Sequence, residues 1–379
     1  MIKITRTMIE QLIKAPCSPG LMLSCYTDLT VQDGIHRPGI GVIKHAGSLI
    51  KQGIPDNLHD RKEFEKNYDS VLKTLENPEF LHSPGIAIFV ARQHDQFQII
   101  PLTIPVRSEL VYSEEPYLVP LLKAYFEQQR QYLVLAFDNN LARLYHADLA
   151  GIQVMNDWHS DVPQKQHSSG DRGGWSQPGI THHREELLNR FEQEIIKQLV
   201  KSQQLHPQIE LILLGHEVAM NQLKHRLPEL LCDRVVHTGT CNHLDSETSL
   251  RKAIHEVIKK QNAIHSKSQA DELNKRQSSK AGFAAGAADV LTAMDSGKIR
   301  QKGCLLIGPD SREVVLRCSS CRHLTIDDIQ KCPHCGSGCK SCNLWEELLL
   351  RALRHDWKVT CIERPETLAD EGGVALLFD

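Results

Sequence analysis

Apolar residues along this chain come in two rhythms, dense short runs and spaced stripes, and each rhythm predicts a different element. The runs Leu21-Met22-Leu23-Ser24-Cys25-Tyr26 and Gly85-Ile86-Ala87-Ile88-Phe89-Val90 predict strands, and a polar stretch from about 60 to 75 between them predicts a helix. Tyr132-Leu133-Val134-Leu135-Ala136-Phe137, the turn Asp138-Asn139-Asn140 and Leu141-Ala142-Arg143-Leu144-Tyr145-His146 then predict a hairpin. Further on, Leu187, Leu188, Phe191, Ile195, Ile196, Leu199 and Val200 fall on one helical face, while Arg184, Glu185, Glu186, Arg190, Glu192 and Lys197 fall mostly elsewhere. Ile209-Glu210-Leu211-Ile212-Leu213-Leu214-Gly215 predicts a buried strand. Helical segments from about 217 to 227 and from 249 to 261 surround a short strand, Arg234-Val235-Val236-His237.

The polar segment 266–280 contains few core formers, and it reads equally as a flexible linker or as the solvated end of a long helix. Beyond it the pattern predicts a small-residue helix from 281 to 294, a strand from 303 to 307, a helix from 344 to 355, a strand from 358 to 362 and a closing strand from 372 to 378. The expected fold class is α/β, mixed α+β, in three domains. Residues 1–130 form an N-terminal α/β domain, and residues 131–265 a mixed β-sheet with flanking helices and an extended loop. Residues 266–379 form a small α/β sandwich interrupted by a cysteine-rich insert at 318–342.

Composition narrows the picture. A chain of 379 residues can bury two or three sizeable cores, and its hydrophobic and charged fractions are those of an ordinary soluble globular protein. No signal-peptide pattern opens it, and no stretch approaches the roughly 20 apolar residues of a membrane span, so a cytoplasmic protein with no membrane partner is expected. The formal net charge of -3 argues against a general electrostatic affinity for nucleic acid and leaves room only for local contacts.

In that compartment twelve cysteines do not make a disulfide framework, and the closely spaced ones call for a metal. Cys318 and Cys321 form one Cys-x-x-Cys pair, Cys332 and Cys335 a second, with ten residues between them. Two such knuckles offer the four thiolates of a closed tetrahedral site, so a structural zinc ribbon is expected. A third pair, Cys339 and Cys342, supplies alternate ligands, since Cys321 to Cys339 fits the longer ribbon spacing. The first quartet is preferred because Pro333 and Gly336 help close the second knuckle, and His323 and His334 are competing donors that the site does not need. The remaining cysteines read as small buried hydrophobes.

The loop Ser168-Ser169-Gly170-Asp171-Arg172-Gly173-Gly174-Trp175-Ser176-Gln177 carries the other candidate chemistry. Adjacent Gly173 and Gly174 let the backbone adopt positive φ and approach another molecule closely. Isolated, such a string is an ordinary surface turn; here it leads directly into a long amphipathic helix. Trp175 either packs on its own domain or stacks on an RNA base. Arg172, His182, His183 and Arg184 make a small basic cluster suited to phosphates, or simply a solvated helix start.

Hairpin, Gly-Gly loop, amphipathic helix, strand and a last α/β domain with a zinc insert together resemble the eukaryotic and archaeal class I release factor superfamily, which includes Pelota. More narrowly, the order is similar to the bacterial and archaeal release-factor-like branch related to the Vms-type ribosome quality-control proteins. The resemblance rests on 132–145, on Arg172-Gly173-Gly174-Trp175-Ser176-Gln177 with His183-Arg184-Glu185-Glu186, and on Gly372-Gly373-Val374-Ala375-Leu376-Leu377. The N-terminal region, with 116–122, resembles the branch's own first domain.

The resemblance implies a ribosome-associated peptidyl-tRNA hydrolase, in which Gln177 positions water at the ester and Gly173, Gly174 and Ser176 complete the tip. Arg172, Trp175, His183 and Arg184 would meet RNA. Its implied partners are the ribosome, peptidyl-tRNA, rRNA and a delivery or splitting factor. Two alternatives accompany it, a tRNA acceptor-end endonuclease of the Vms type leaning on Arg172 or His183, and a non-catalytic ribosome or RNA binder. The chain departs from a plain Gly-Gly-Gln by inserting Trp175 and Ser176, and Pro178 and Gly179 are expected to interrupt the passage into the helix.

Overall fold

A computed structural model of the chain describes residues 3–14, 21–31, 37–55, 59–91, 95–138, 140–160, 177–205, 209–241, 246–296, 303–308, 313–362, 368 and 373–378. Its α-carbon contacts divide it into two units, one made of residues 1–129 with 263–379 and the other of residues 130–262. The fold is mixed α/β with several sheets.

In the first unit α1 (Arg6–Lys14), β1 (Met22–Asp28), α2 (Pro38–Gly53), α3 (His59–Glu76), β2 (Gly85–Ala91), β3 (Gln96–Leu102), β4 (Glu109–Ser113) and α4 (Val119–Glu127) follow in order. The four strands make an antiparallel sheet ordered β3-β2-β1-β4. Alternation along β1 and β2 sends Leu23, Cys25, Ile86, Ile88 and Val90 to the face covered by Ile43, Phe64, Val71 and Leu75 of α2 and α3. Gly47 matters for that packing, because a Cβ there would lie 2.3 Å from the Tyr68 ring. On the opposite face the Tyr26 hydroxyl donates to the Tyr117 carbonyl at 2.6 Å, and the Tyr117 N–H donates to Ser24 Oγ at 3.0 Å.

The second unit contains β5 (Tyr132–Phe137), β6 (Leu141–Asp148), β7 (Gly151–His159), α5 (Gln177–Leu205), β8 (Glu210–Gly215), α6 (Glu217–Arg226), α7 (Glu229–Cys232), β9 (Val235–Thr240) and the start of α8 (Glu247–Ser279). The sheet order is β7-β6-β5-β8-β9, antiparallel from β7 to β5 and parallel from β5 to β9. Central β5 is buried on both faces, which is why its sequence is one unbroken apolar run. Leu133, Leu135 and Phe137 meet α5, α6 and α7, while Tyr132, Val134 and Ala136 meet Leu250, Ile254 and Ile258 of α8.

Segment 266–279 is helical, the end of α8 (Glu247–Ser279). One end of α8 buries Leu250, Ile254 and Ile258 in the second unit's core, and the other buries Ala270 and Leu273 among Leu306, Ala375 and Leu377 of the first. The Ser266 hydroxyl also donates to the Cys361 carbonyl at 2.7 Å. The first unit is completed by β10 (Phe283–Ala285), α9 (Ala287–Asp295), β11 (Cys304–Ile307), β12 (Val314–Cys318), β13 (Leu324–Thr325), β14 (Cys339–Asn343), α10 (Leu344–Arg354), β15 (Lys358–Cys361) and β16 (Val374–Leu377). The helix expected over 281–294 starts only at Ala287. Lys280, Gly282 and Gly286 have φ of 53°, 69° and 84°, off the right-handed helical path, and Phe283–Ala285 pairs antiparallel with Ala375–Leu377 instead.

Candidate functional site

The sheet of the second unit fixes the position of Ser160, the last described residue before the Gly-Gly loop. Phe137 lies opposite Ala142 and beside Gly215, and Leu141 lies opposite His159, so the carboxyl ends of β5, β7 and β8 share one edge of the sheet. In open α/β sheets ligands gather at this end, where the strand order reverses. The Ser160 N–H donates to the Asn140 carbonyl at 2.9 Å and pins the chain as it leaves. A side chain is excluded at Gly215, whose Cβ would lie 1.9 Å from the Phe137 carbonyl oxygen.

Arg172, Gly173, Gly174, Trp175 and Ser176 lie outside the described residues. Helix α5 opens at Gln177, and it runs without a break through Pro178 and Gly179. Those two residues therefore do not interrupt the passage into the helix. Proline in the first helical turn lacks only an N–H that would have no intrahelical partner, and its fixed φ suits the helix.

Gln177 and Arg184 are described as helix backbone only, while His182 and His183 are exposed. Among the described side chains of α5 the first to be buried is Glu192, followed by Ile195 and Leu199. Phe191 stacks on Phe137 with ring centroids 6.0 Å apart. Residues 177–190 thus form about 21 Å of helix ahead of the buried anchor, at 1.5 Å per residue. Arg226, the last residue of α6, clamps that anchor by donating to both Asn189 and Glu192. Burial raises the Glu192 carboxyl above its ordinary range, and the Arg226 charge opposes the rise. Sequence reading missed this clamp, since no spacing pattern ties residue 192 to residue 226.

The second site is local. The Sγ atoms of Cys318, Cys321, Cys332 and Cys335 all lie within 4.8 Å of one another, a group that can hold a metal ion. Each Cys-x-x-Cys closes by the same device. The Arg322 N–H donates to the Cys318 carbonyl at 3.2 Å, and the Gly336 N–H donates to the Cys332 carbonyl at 2.9 Å. Arg322 and Gly336, each four residues past the first cysteine of its knuckle, both have positive φ, 58° and 73°.

Backbone N–H groups of Ser320 and Cys321 point at the Cys318 sulfur, and that of His334 at the Cys332 sulfur, each at 3.4 Å. Such donors favour thiolate over thiol. The Cys335 thiol is pushed down to about 6, first by the Ser337 backbone N–H. Cys339 and Cys342 lie on β14, outside the group of four. His323 and His334 are outside it too; their rings sit 4.2 Å apart, and His323 Nδ1 lies 3.4 Å from an Asp295 carboxylate oxygen.

Residues 116–263 match the family model described as bacterial archaeo-eukaryotic release factor family 10. That stretch resembles the archaeo-eukaryotic release factors. It contains β5 to β9, α5 and all of the Gly-Gly loop.

Among solved structures, the chain is similar to an archaeal translation termination factor, aRF1, at 13% identity, covering 98% of this chain and 96% of that one with a TM-score of 0.26. Pelota from Archaeoglobus fulgidus matches at 15% identity over 78% of each chain, TM-score 0.35. Dom34 of S. cerevisiae, a translation termination-like factor of RNA quality control, matches at 10% identity over 78% of this chain and 79% of its own, TM-score 0.39. No curated protein matches the sequence. Among the described residues, no helix is long and apolar enough to cross a membrane.

Proposed function

We propose that this chain is a cytoplasmic, ribosome-associated factor of translation termination or ribosome rescue, and that it hydrolyses peptidyl-tRNA. The observation that carries the reading is the release-factor family match over 116–263, which encloses Gln177 at the opening of α5. The helix ahead of the Glu192 anchor suits a tip that must reach a distant ester. In a pocket made largely of RNA, hydrolysis needs a placed water and a polarised oxyanion, and a glutamine amide with its backbone N–H serves both without titrating. Gly173 and Gly174 would admit the chain, Ser176 would complete the tip, and Arg172, Trp175, His183 and Arg184 would meet rRNA or the tRNA. The division into 1–130, 131–265 and 266–379 belongs to this proposal, as does a delivery or splitting factor.

The test is a purified ribosome–nascent-chain complex challenged with the protein and resolved for peptide and tRNA. Free peptide with an intact CCA end supports ester hydrolysis. A shortened tRNA replaces it with the endonuclease reading, and unchanged peptidyl-tRNA leaves a docking factor.

We further propose that Cys318, Cys321, Cys332 and Cys335 hold a structural zinc ion. The donor set fits, because all four ligands are thiols and three of the sulfur pairs stand 3.4–3.5 Å apart. A tetrahedral site with Zn–S of about 2.3 Å has sulfur–sulfur edges of about 3.8 Å, so small adjustments suffice. The ion would supply folding energy to a segment with little core of its own and would take no part in hydrolysis. Metal analysis of the purified protein checks it.

A further inference from the structure

Cys339 is the cysteine of the insert that the four-thiol cluster leaves over and yet places against it. Strand β14 runs antiparallel to β12, and in their register Cys339 lies directly opposite Cys318. The pair is of the non-hydrogen-bonded kind, because the bond flanking it is Ser319 N–H to the Gly338 carbonyl, at 3.0 Å. In such a pair the α-carbons are about 4.5 Å apart and the side chains stand closer than at the hydrogen-bonded positions. A disulfide spans α-carbons from about 4.4 to 6.8 Å apart, so this register meets its first requirement without moving the backbone. Opposed residues of an antiparallel pair also point to the same face of the sheet. Cys342, three residues further along the strand, points to the other face.

We infer that Cys318 and Cys339 are joined as a disulfide when the insert meets a hydroperoxide, and that the new bond withdraws one donor from the metal site. This rests on the metal reading above. The Cys318 thiolate attacks the peroxide O–O bond, which breaks to release hydroxide, or alkoxide from an organic peroxide, and the sulfur becomes a sulfenic acid after a two-electron oxidation. The Cys339 sulfur then attacks the Cys318 sulfur, the S–O bond breaks, and water leaves with the Cys339 proton. While the cation is bound, Cys321, Cys332 and Cys335 donate their electron pairs to it. Cys339 is half-buried, lies outside that set, and is the unligated thiol facing Cys318. Three remaining thiolates hold the ion more weakly than four, so metal leaves with the oxidation.

The experiment uses the full-length protein treated with hydrogen peroxide, with metal release followed by a chromophoric chelator and disulfides mapped by mass spectrometry of unreduced digests. The expected result is a Cys318–Cys339 linked peptide appearing together with released metal. Cys339→Ser should retain metal under the same dose, with release slowed at least about tenfold, while Cys342→Ser should match the wild type. Metal release from Cys339→Ser at the wild-type rate would overturn the inference, as would a map showing only Cys318–Cys335 or Cys321–Cys332. A protein isolated without metal would overturn the zinc reading and with it the loss of a metal donor, while the map would still decide whether Cys318 and Cys339 join.

Discussion

The two candidate sites are built on opposite principles. In the cysteine insert all four donors converge within 4.8 Å, each knuckle shaped by its own backbone bonds, so the site is complete within some twenty residues. In the second unit the structure supplies a frame: a sheet edge, a buried anchor at Glu192 to Leu199, and about 21 Å of helix leading back to Gln177. The first site needs only an ion to finish it. The second, on the proposed reading, acts only on another macromolecule. Damage to the two should therefore show up in different measurements.

The largest effect expected is in the insert. Cys332→Ser should abolish stoichiometric metal binding, because apparent zinc affinities in such sites amount to about 10 kcal/mol or more. Metal analysis and a thermal melt check it, and any residual peptide release should keep its chemistry.

Gln177→Ala should lower nascent-chain release by about 10²-fold or more, as when an oxyanion donor is removed, with ribosome binding and the melting temperature nearly unchanged. Release at the wild-type rate would end the hydrolase reading. Loss of folding along with activity would break the comparison, since it would make the tip part of the core.

A smaller, pH-dependent effect is expected at Glu346 in the first turn of α10, which directly follows the insert. Its carboxylate accepts the Leu118 N–H at 3.0 Å, and burial, opposed by that bond, pushes the group up to about 8. A folded-state value above the unfolded one, about 4.3, means that its contribution to stability is fully present below that value. It is lost as pH rises through the folded value. Glu346→Gln keeps the acceptor and removes the titration, so its advantage over wild type should grow between about pH 4.3 and 8, reaching about 1–3 kcal/mol. Denaturant melts at the two ends of that range measure it.

The knuckles give the finest test. A Cβ at Gly336 would meet nothing within 4 Å, so Gly336→Ala should cost only the left-handed conformation, about 1 kcal/mol. At the matching position Arg322→Gly should stabilise by a few tenths of a kcal/mol, relief of the same strain offset by backbone entropy.

What the sequence revealed follows from where burial is symmetric. β5 and β8 are read directly because both faces are covered and, Glu210 at the start of β8 apart, every residue is apolar. β7 is missed for the converse reason: it is an edge strand, exposed nearly throughout, and the alternation of Ile152, Val154 and Trp158 is interrupted by polar Asn156. The helix expected over 281–294 fails because small residues suit a helix locally, whereas Gly282 and Gly286 serve a turn whose partner, β16, lies some ninety positions away. Of the candidate sites, the knuckles are legible because their ligands are neighbours in sequence. The Arg226–Glu192 clamp is invisible because it joins helices separated by a strand.

Helix α5 also sets a mechanical condition on its own amino terminus. Length and rotation are geared together in a helix, so one residue inserted between Gln177 and the Glu192 anchor would advance Gln177 by about 1.5 Å and swing it by about 100° around the axis. A seven-residue insertion would restore the direction to within about 20° yet overshoot by about 10 Å. No insertion of any length preserves both reach and bearing, so on the proposed reading this stretch would work as a ruler and a compass at once, and its length should tolerate change far less readily than its exposed side chains.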